Sequence, residues 1–153
     1  MAGICVTKKS ISEFDRCGIK DSKLLTSKKR QILFGHIVNI AESICICRIG
    51  IEDIDFHVYK NNLNLLEAEA MAITIGNMKS DKTYVDSCDV NPSRYQKTIS
   101  SFLERNNTKL ISMHHADRLN VVVSGASIIA KVIRDSEISK IRMEYGDIGS
   151  GYP

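Results

Sequence analysis

The sequence predicts a single α/β domain, built in two or three layers, that contains parallel pairs of strands. Short β-rich runs recur at 2–7, 43–50, 83–86 and 110–114, and longer segments with apolar residues at helical spacing lie between them. Strands that alternate with helices in this way are typical of a sheet covered by helices. No internal repeat, low-complexity tract or linker divides the 153 residues, so we expect one domain over 1–153.

The composition indicates a folded chain and leaves its partner open. With 43% hydrophobic residues, 25% charged residues and 2 Pro, the chain can bury a core and differs from disordered or collagen-like sequences. A net charge of +3 permits nucleic-acid binding without demonstrating it, because local clusters of Lys and Arg decide contact with phosphates. We find no signal peptide and no run of about 20 apolar residues that could span a membrane.

The five cysteines indicate a reducing compartment. Their number is odd and none of them forms a C-x-x-C pair, the spacing of many zinc sites and of thioredoxin-like motifs. Cys45 and Cys47 lie in an alternating apolar run, where we interpret them as small buried apolar residues. We therefore expect a cytoplasmic protein that does not bind a membrane, and we expect it to be a monomer.

The first half of the chain is predicted to hold two strands and one helix. Residues 2–7 are typical of a strand end, and the polar stretch 8–25 is typical of an exposed loop. Thr26 is a plausible N-cap for the helix that follows. The apolar residues of that helix recur at helical spacing: Leu33, Ile37, Ile40 and Ile44.

Three cations occupy the first turn of this helix: Lys28, Lys29 and Arg30. Positive charge at a helix N-terminus opposes the helix dipole. Either something other than helix stability requires these cations, or they belong to a solvated face.

The second half of the chain is predicted to hold three helices. Asn64 and Glu67 are spaced as in a capping box, and Pro92 suits the first turn of a helix. We predict helices over 64–79, from Pro92 to about Arg105, and from Asn120 to about Tyr145. Residues 149–153 are predicted to form a loop.

Two acidic residues are placed where α/β proteins bind ligands. Asp86 ends the strand that contains Val85, and Asp117 follows the strand that ends near Met113. Side chains just past the carboxyl ends of adjacent strands converge on one crevice, and two carboxylates held there repel unless a cation lies between them. Such oxygen ligands favour Mg²⁺ or Mn²⁺ over zinc. The alternative is that each Asp is a helix cap or a turn residue.

Other polar residues near Asp86 and Asp117 could cap a helix or assist the two acids. Asp89 and Asn91 could cap the helix that begins at Pro92, which would leave Asp86 without a structural task. His114 and His115 could act as a base or a ligand, but a histidine near a strand end is more often packed or hydrogen-bonded.

Small residues open the last helix. The segment Ser124-Gly125-Ala126-Ser127, with Lys131 one turn later, could cradle a phosphate. Small side chains at these positions equally allow close packing of the helix against the sheet. Both interpretations stay open.

Five segments in this order and spacing resemble ribonuclease HII, most closely its archaeal members, over nearly the whole chain. Single pieces such as Tyr-Val-Asp are weak signals, but five in register, one of them fourteen residues long, are specific. The segments are Gly18-Ile19-Lys20-Asp21-Ser22-Lys23-Leu24-Leu25-Thr26, Tyr84-Val85-Asp86, His114-His115-Ala116-Asp117, the block from Val122 to Asp135, and Gly149-Ser150-Gly151-Tyr152-Pro153.

The resemblance implies a ribonuclease H-like mixed sheet flanked by helices. It also implies endonucleolytic cleavage on the 5′ side of a ribonucleotide, in an RNA·DNA hybrid or a mostly DNA duplex. That family uses four carboxylates and two Mg²⁺ or Mn²⁺ ions, because in-line displacement at phosphorus needs an activated water and a stabilised leaving oxygen. Asp86 matches the third carboxylate and Asp117 the fourth.

The same resemblance assigns the nucleic-acid contacts. It implies that Lys23 and the pair Ser127 and Lys131 hold backbone phosphates. Tyr152 would rest against the sugar beside the ribonucleotide and help to sense its 2′-hydroxyl.

The chain departs from the family at both ends. The family begins with a strand carrying Asp-Glu-Ala-Gly-Arg-Gly, whereas Met1–Val6 resembles the middle of its second strand. We therefore expect a chain truncated at both ends, without the central strand and two carboxylates, and at most very weakly active. One alternative is a fragment that does not fold alone. Another is an inactive fragment that binds hybrid duplex through Lys20, Lys23, Lys28, Lys29 and Lys131.

Overall fold

A computed structural model describes residues 1–19, 25–103 and 107–149, and it confirms the mixed α/β class. The elements in chain order are β1 (Ala2–Cys5), α1 (Lys8–Arg16), α2 (Ser27–Ile40), β2 (Ser43–Ile46), α3 (Ile51–Tyr59), α4 (Leu63–Gly76), β3 (Lys82–Asp86), α5 (Pro92–Phe102), β4 (Lys109–Met113), α6 (Ala116–Leu119) and α7 (Val121–Tyr145). No helix within these described ranges combines the length and apolarity that a membrane crossing needs.

The four strands form two separate pairs. β1 and β2 are antiparallel, with Gly3 opposite Cys45. β3 and β4 are parallel, with Asp86 opposite Met113 at their carboxyl ends. Among the described residues no ladder joins one pair to the other. The parallel pair places the two chain segments that follow it at one edge of the sheet.

The first core packs three helices around the antiparallel pair. Ile4 of β1, Phe14 of α1, Ile37 of α2 and Ile128 of α7 belong to one buried cluster. Gly125 of α7 lies so close to this cluster that an added Cβ would be 2.9 Å from both Ile4 Cδ1 and Phe14 Cε1. The amino-terminal half of α7 is therefore fixed directly against β1 and α1.

The second core covers the parallel pair. Val85 of β3 and Leu110 of β4 pack with Ile75 of α4 and with Tyr95 and Ile99 of α5. All five side chains are at most 9% exposed. This packing holds β3 and β4 in register, and it supports the edge at which Asp86 lies.

Within the loop predicted over 8–25, residues Lys8–Arg16 form helix α1 instead, and residues 20–24 lie outside the described part of the chain. Thr7 caps α1 by accepting a hydrogen bond from the Ser10 amide, and Phe14 is its one buried residue. The sequence signal of this helix is short: Ile11 and Phe14 are spaced as on one helical face, in an otherwise polar segment. Tertiary contact of one aromatic ring with the first core decides its structure.

The sequence also failed to predict α3. This helix begins after Gly50, which provides no side-chain cap, and none of its residues is buried. Apolar residues do recur at helical spacing in this segment, at Ile51, Ile54 and Val58, but it has no capping side chain to mark its start.

The predicted helix boundaries need three corrections. α4 begins at Leu63, so Asn64 lies inside the helix and the expected capping box does not form. α2 ends at Ile40, and Ile44 belongs to β2. Pro92 opens α5 as predicted, but that helix ends at Phe102. Residues 104–106 lie outside the described part of the chain.

Candidate functional site

The structure brings the segments of the two predicted metal ligands together. Asp86 is the last residue of β3, and the chain leaves the neighbouring end of β4 through His114 and His115 into α6. The Ala116 amide donates a 3.0 Å hydrogen bond to Asp86 Oδ1. The Asp86 carboxylate therefore lies beside the residue that directly precedes Asp117.

Asp117 lies in the first turn of α6 and is only 4% exposed. The residue before α6, His115, has a φ of 55°, in the left-handed region that few non-glycine residues adopt. This turn folds the chain back directly after β4. It sets Asp117 under the protein surface at the same edge as Asp86.

Asp86 has a structural contact that the sequence did not suggest. The sequence predicts that Asp89 and Asn91 could cap α5, which would leave Asp86 without such a task. Asn91 does cap the helix, since its Oδ1 accepts a 3.1 Å hydrogen bond from the Arg94 amide. Asp86 nevertheless has a structural task, because it fixes the turn into α6 through the Ala116 amide.

The donor chemistry of this edge suits a hard divalent cation. Asp86 and Asp117 offer carboxylate oxygens, the preferred ligands of Mg²⁺ and Mn²⁺. Within the described residues no group of three or more His, Cys, Asp or Glu side chains is placed to hold a metal. The residues thus fit such an ion by type, while their number is below the four carboxylates of a two-ion centre.

The histidines of this edge hold structural positions. His114 Nε2 lies 3.3 Å from the Val90 carbonyl oxygen, in the loop that follows β3. His115 supplies the left-handed residue before α6. Both histidines are exposed, and a role as base or ligand stays a prediction.

The small residues at the start of α7 were open to two interpretations, close packing of the helix and a phosphate cradle. Gly125 serves close packing, because a side chain there would collide with Ile4 and Phe14. Ser127 and Lys131 lie one helical turn apart and are half-buried, so they share a face of α7. The other two predicted contacts, Lys23 and Tyr152, lie outside the described residues.

An ion pair that sequence reasoning missed links α2 to α7. Arg30 Nη2 is 2.8 Å from Asp135 Oδ2, and these side chains are 11% and 24% exposed. Arg30 Nη1 also donates a 2.7 Å hydrogen bond to the Leu25 carbonyl oxygen. Arg30 therefore differs from the two other cations in the first turn of α2, which are exposed: Lys28 and Lys29.

Three ionisable groups with shifted pKa values lie in the loop after β3 and at the start of α5. Hydrogen bonds from Arg94 and from the Asn91 amide hold the pKa of Asp89 below its usual value. Although Cys88 is an exposed residue, desolvation of its thiol, followed by a hydrogen bond with Glu67, raises the pKa of that thiol to about 12. Burial also raises the pKa of Tyr95. Cys88 is thus a protonated thiol at neutral pH.

The fold places the chain among the ribonuclease H-like proteins. It superposes on the crystal structure of the ribonuclease H2 from Pyrococcus horikoshii with a TM-score of 0.87 and 35% identity, over 99% of this chain and 80% of the other. The ribonuclease HII in the PCNA:RNase HII complex from Archaeoglobus fulgidus matches with a TM-score of 0.82 and 29% identity, over 99% and 79%. The similarity of the fold to these two structures defines this class.

Within that class, the chain belongs to the ribonuclease HII family. The family model for ribonuclease HII matches residues 1–153. The ribonuclease HII of Cenarchaeum symbiosum is 42% identical over 153 residues, which are 100% of this chain and 73% of that protein. Family membership and fold class therefore agree with the resemblance seen in the five sequence segments.

Proposed function

We propose that this chain carries part of the active site of an endoribonuclease that cleaves the RNA strand of RNA·DNA hybrids, or a ribonucleotide-containing duplex, on the 5′ side of a ribonucleotide. One observation carries the proposal. Asp86, at the carboxyl end of β3, accepts a hydrogen bond from the amide of Ala116, the residue before the buried Asp117, in a chain of the ribonuclease HII family.

In this proposal Asp86 and Asp117 bind Mg²⁺ or Mn²⁺ through their carboxylate oxygens. Such ions supply an activated water and charge stabilisation at the leaving 3′ oxygen. The Ala116 amide holds one oxygen of Asp86 at 3.0 Å, and this bond orients the other oxygen. Burial of Asp117 strengthens its attraction for a cation, because few waters compete there.

The substrate is held by cations and hydroxyl groups rather than by base contacts. We assign backbone phosphates to Lys23 and to the pair Ser127 and Lys131, and the sugar beside the ribonucleotide to Tyr152. The shared face of Ser127 and Lys131 on α7 supports a single phosphate contact. Binding of this kind depends on salt and varies little with base sequence.

The number of carboxylates limits the activity of the sequence as given. The described residues offer two acids at this edge, and the two pairs of strands share no ladder. A strand placed between them would supply hydrogen-bond partners for both pairs. We therefore propose that the given sequence is at most very weakly active, and that a version with a strand carrying Asp-Glu-Ala-Gly-Arg-Gly is active.

A cleavage assay tests this proposal. The given sequence and the extended version are incubated with a duplex that contains one ribonucleotide, in Mg²⁺ or Mn²⁺. We expect cleavage 5′ to the ribonucleotide by the extended version and little by the given sequence. Equal rates would contradict the predicted loss of activity, and no cleavage by either would contradict the proposed function.

Binding without cleavage is the second candidate function. It is favoured by the exposed Lys28 and Lys29 in the first turn of α2, and by the lack, among the described residues, of a group of three or more metal-binding side chains. Affinity for hybrid duplex that falls with salt, with no cleavage in any metal, would support it.

A further inference from the structure

Arg94 makes two hydrogen bonds to Asp89 in the loop 87–91, which follows β3. Asp89 in this loop is 7% exposed. Its Oδ2 accepts a 2.9 Å hydrogen bond from Arg94 Nε, and its Oδ1 accepts a 2.6 Å bond from Arg94 Nη2. The Asn91 amide donates a third bond, of 2.8 Å, to Oδ1. A bidentate pair of this kind fixes direction as well as distance.

The same loop is tied to both segments that carry the acidic residues. Ser87, next to Asp86, donates its amide to the Met113 carbonyl at 2.9 Å and its hydroxyl to the Asp89 carbonyl at 3.0 Å. On the other side, Val90 meets the His114 ring at 3.3 Å. The loop thus spans from the residue after Asp86 to the turn that precedes Asp117.

We propose that Arg94 is a positioning residue that, acting through Asp89, holds this loop and thereby keeps the Asp86 carboxylate on the Ala116 amide. The loop 87–91 is short, and its two ends and its middle are each bonded. Loss of the arginine fork leaves Asp89 in a buried position with one of three bonds. The loop then moves, and the end of β3 moves with it.

The consequence for the metal site rests on the proposed function. If Asp86 and Asp117 bind one ion, their separation must be held within a fraction of an ångström. Arg94 achieves this from outside the site, since the bonds it makes are to Asp89 and not to either acid. Its role is therefore geometric, and it does not contact the ion.

Amide exchange at Ala116 measures the position of Asp86 directly. We compare wild-type chain with Arg94→Ala and Arg94→Lys by hydrogen exchange in NMR. In Arg94→Ala we expect Ala116 to exchange faster by about tenfold, as loss of a charge-assisted hydrogen bond implies, while Ile128 in the first core keeps its rate. Lysine keeps the charge but lacks the fork, so Arg94→Lys gives an intermediate rate.

The matched control is Arg48→Ala, which removes another exposed arginine, paired with Glu137 at 3.1 Å. It is expected to leave Ala116 exchange unchanged. Faster exchange at Ala116 and Ile128 alike in Arg94→Ala would indicate general destabilisation and would overturn the proposal. Unchanged Ala116 exchange in both Arg94 variants would overturn it as well.

Mn²⁺ binding separates this proposal from the proposed function. Electron paramagnetic resonance with Mn²⁺ alone measures the affinity of wild-type chain, Arg94→Ala and Asp86→Asn. Weaker binding in both variants supports the link between the loop and the metal. If wild-type chain binds no Mn²⁺, the metal site fails, whereas the exchange rate of Ala116 still decides the role of Arg94.

Discussion

Asp86 combines two tasks in one side chain. Its Oδ1 accepts the hydrogen bond of the Ala116 amide, and the carboxylate is also the proposed metal ligand. An amide side chain retains an acceptor oxygen but loses the negative charge. The two tasks can therefore be separated by substitution.

Asp86→Asn is expected to lower the rate of metal-dependent cleavage by the extended version by roughly 100-fold or more. The reason is that the amide has no negative charge to bind the metal ion. Duplex affinity and the thermal midpoint should change little. Asp81→Asn is the matched control, because Asp81 is exposed and directly precedes β3. This variant is expected to cleave at the wild-type rate. An unaffected rate in Asp86→Asn would show that this residue is not a ligand.

Cys88 is an exposed residue whose thiol is nevertheless partly desolvated by its neighbours. Its pKa is raised to about 12, chiefly by this desolvation, and only the thiolate reacts with alkylating reagents. At pH 8 we expect iodoacetamide to modify Cys88 at least about a hundredfold more slowly than a free cysteine peptide. Peptide mass spectrometry at several times measures this rate, which should rise steeply above pH 10. A rate equal to that of the free peptide would contradict the raised pKa.

Asp89 makes stability depend on pH in a defined direction. Its pKa is lowered below 3.8 in the folded chain, first by the hydrogen bond from Arg94. The unfolded chain therefore binds more protons between these two values, and stability falls as the pH decreases through that window. Denaturant titrations at pH 7 to 2 are the measurement.

In the same titrations, Asp89→Asn is expected to be less stable than wild type at pH 7 and to approach it below pH 3.8. Asn cannot provide the charge that attracts Arg94, so its stability changes less over this range. A difference between the two proteins that stays constant from pH 7 to 2 would contradict the assignment.

At the scale of elements, close approach of α7 to β1 depends on Gly125. A valine at this position would bring Cβ within 2.9 Å of Ile4 Cδ1 and Phe14 Cε1, so these two buried side chains would have to move. We expect Gly125→Val to lower the free energy of unfolding by about 1–3 kcal/mol. Chemical denaturation measures the change.

Gly35 is the matched control, since it lies in α2 and nothing is within 4 Å of an added Cβ. Gly35→Ala is expected to raise the free energy of unfolding by about 0.5–1 kcal/mol, because alanine favours a helix. If Gly125→Val were as stable as wild type, the tight packing of α7 on β1 would be wrong.

At the scale of the whole molecule, stability is expected to be limited by the division of the sheet. The two cores surround different strand pairs, and no ladder joins those pairs among the described residues. An added strand would satisfy backbone groups on both and bury more apolar surface.

The extended version is accordingly expected to unfold at a higher temperature and in a sharper transition than the given sequence. Calorimetry at equal concentration measures both properties. A broad, featureless melt of the given sequence would favour the alternative that it does not fold alone. Equal midpoints for the two versions would contradict the proposed effect of the strand.

Local sequence patterns were sufficient to predict those features of the structure that depend on residues close together in the chain. The parallel strands, the helix that opens at Pro92, and the placement of Asp86 and Asp117 after strands all follow from short-range spacing and turn chemistry. The family follows in the same way, because five sequence segments stand in register over residues that the family model also matches.

Tertiary structure alone decided features whose partners are distant in sequence. Helix α1 forms because Phe14 enters a core that includes Ile128. Arg30 pairs with Asp135, 105 residues away, and the Ala116 amide meets Asp86 across 30 residues. Such contacts gain their energy only when the chain is compact, so no periodicity or local propensity records them.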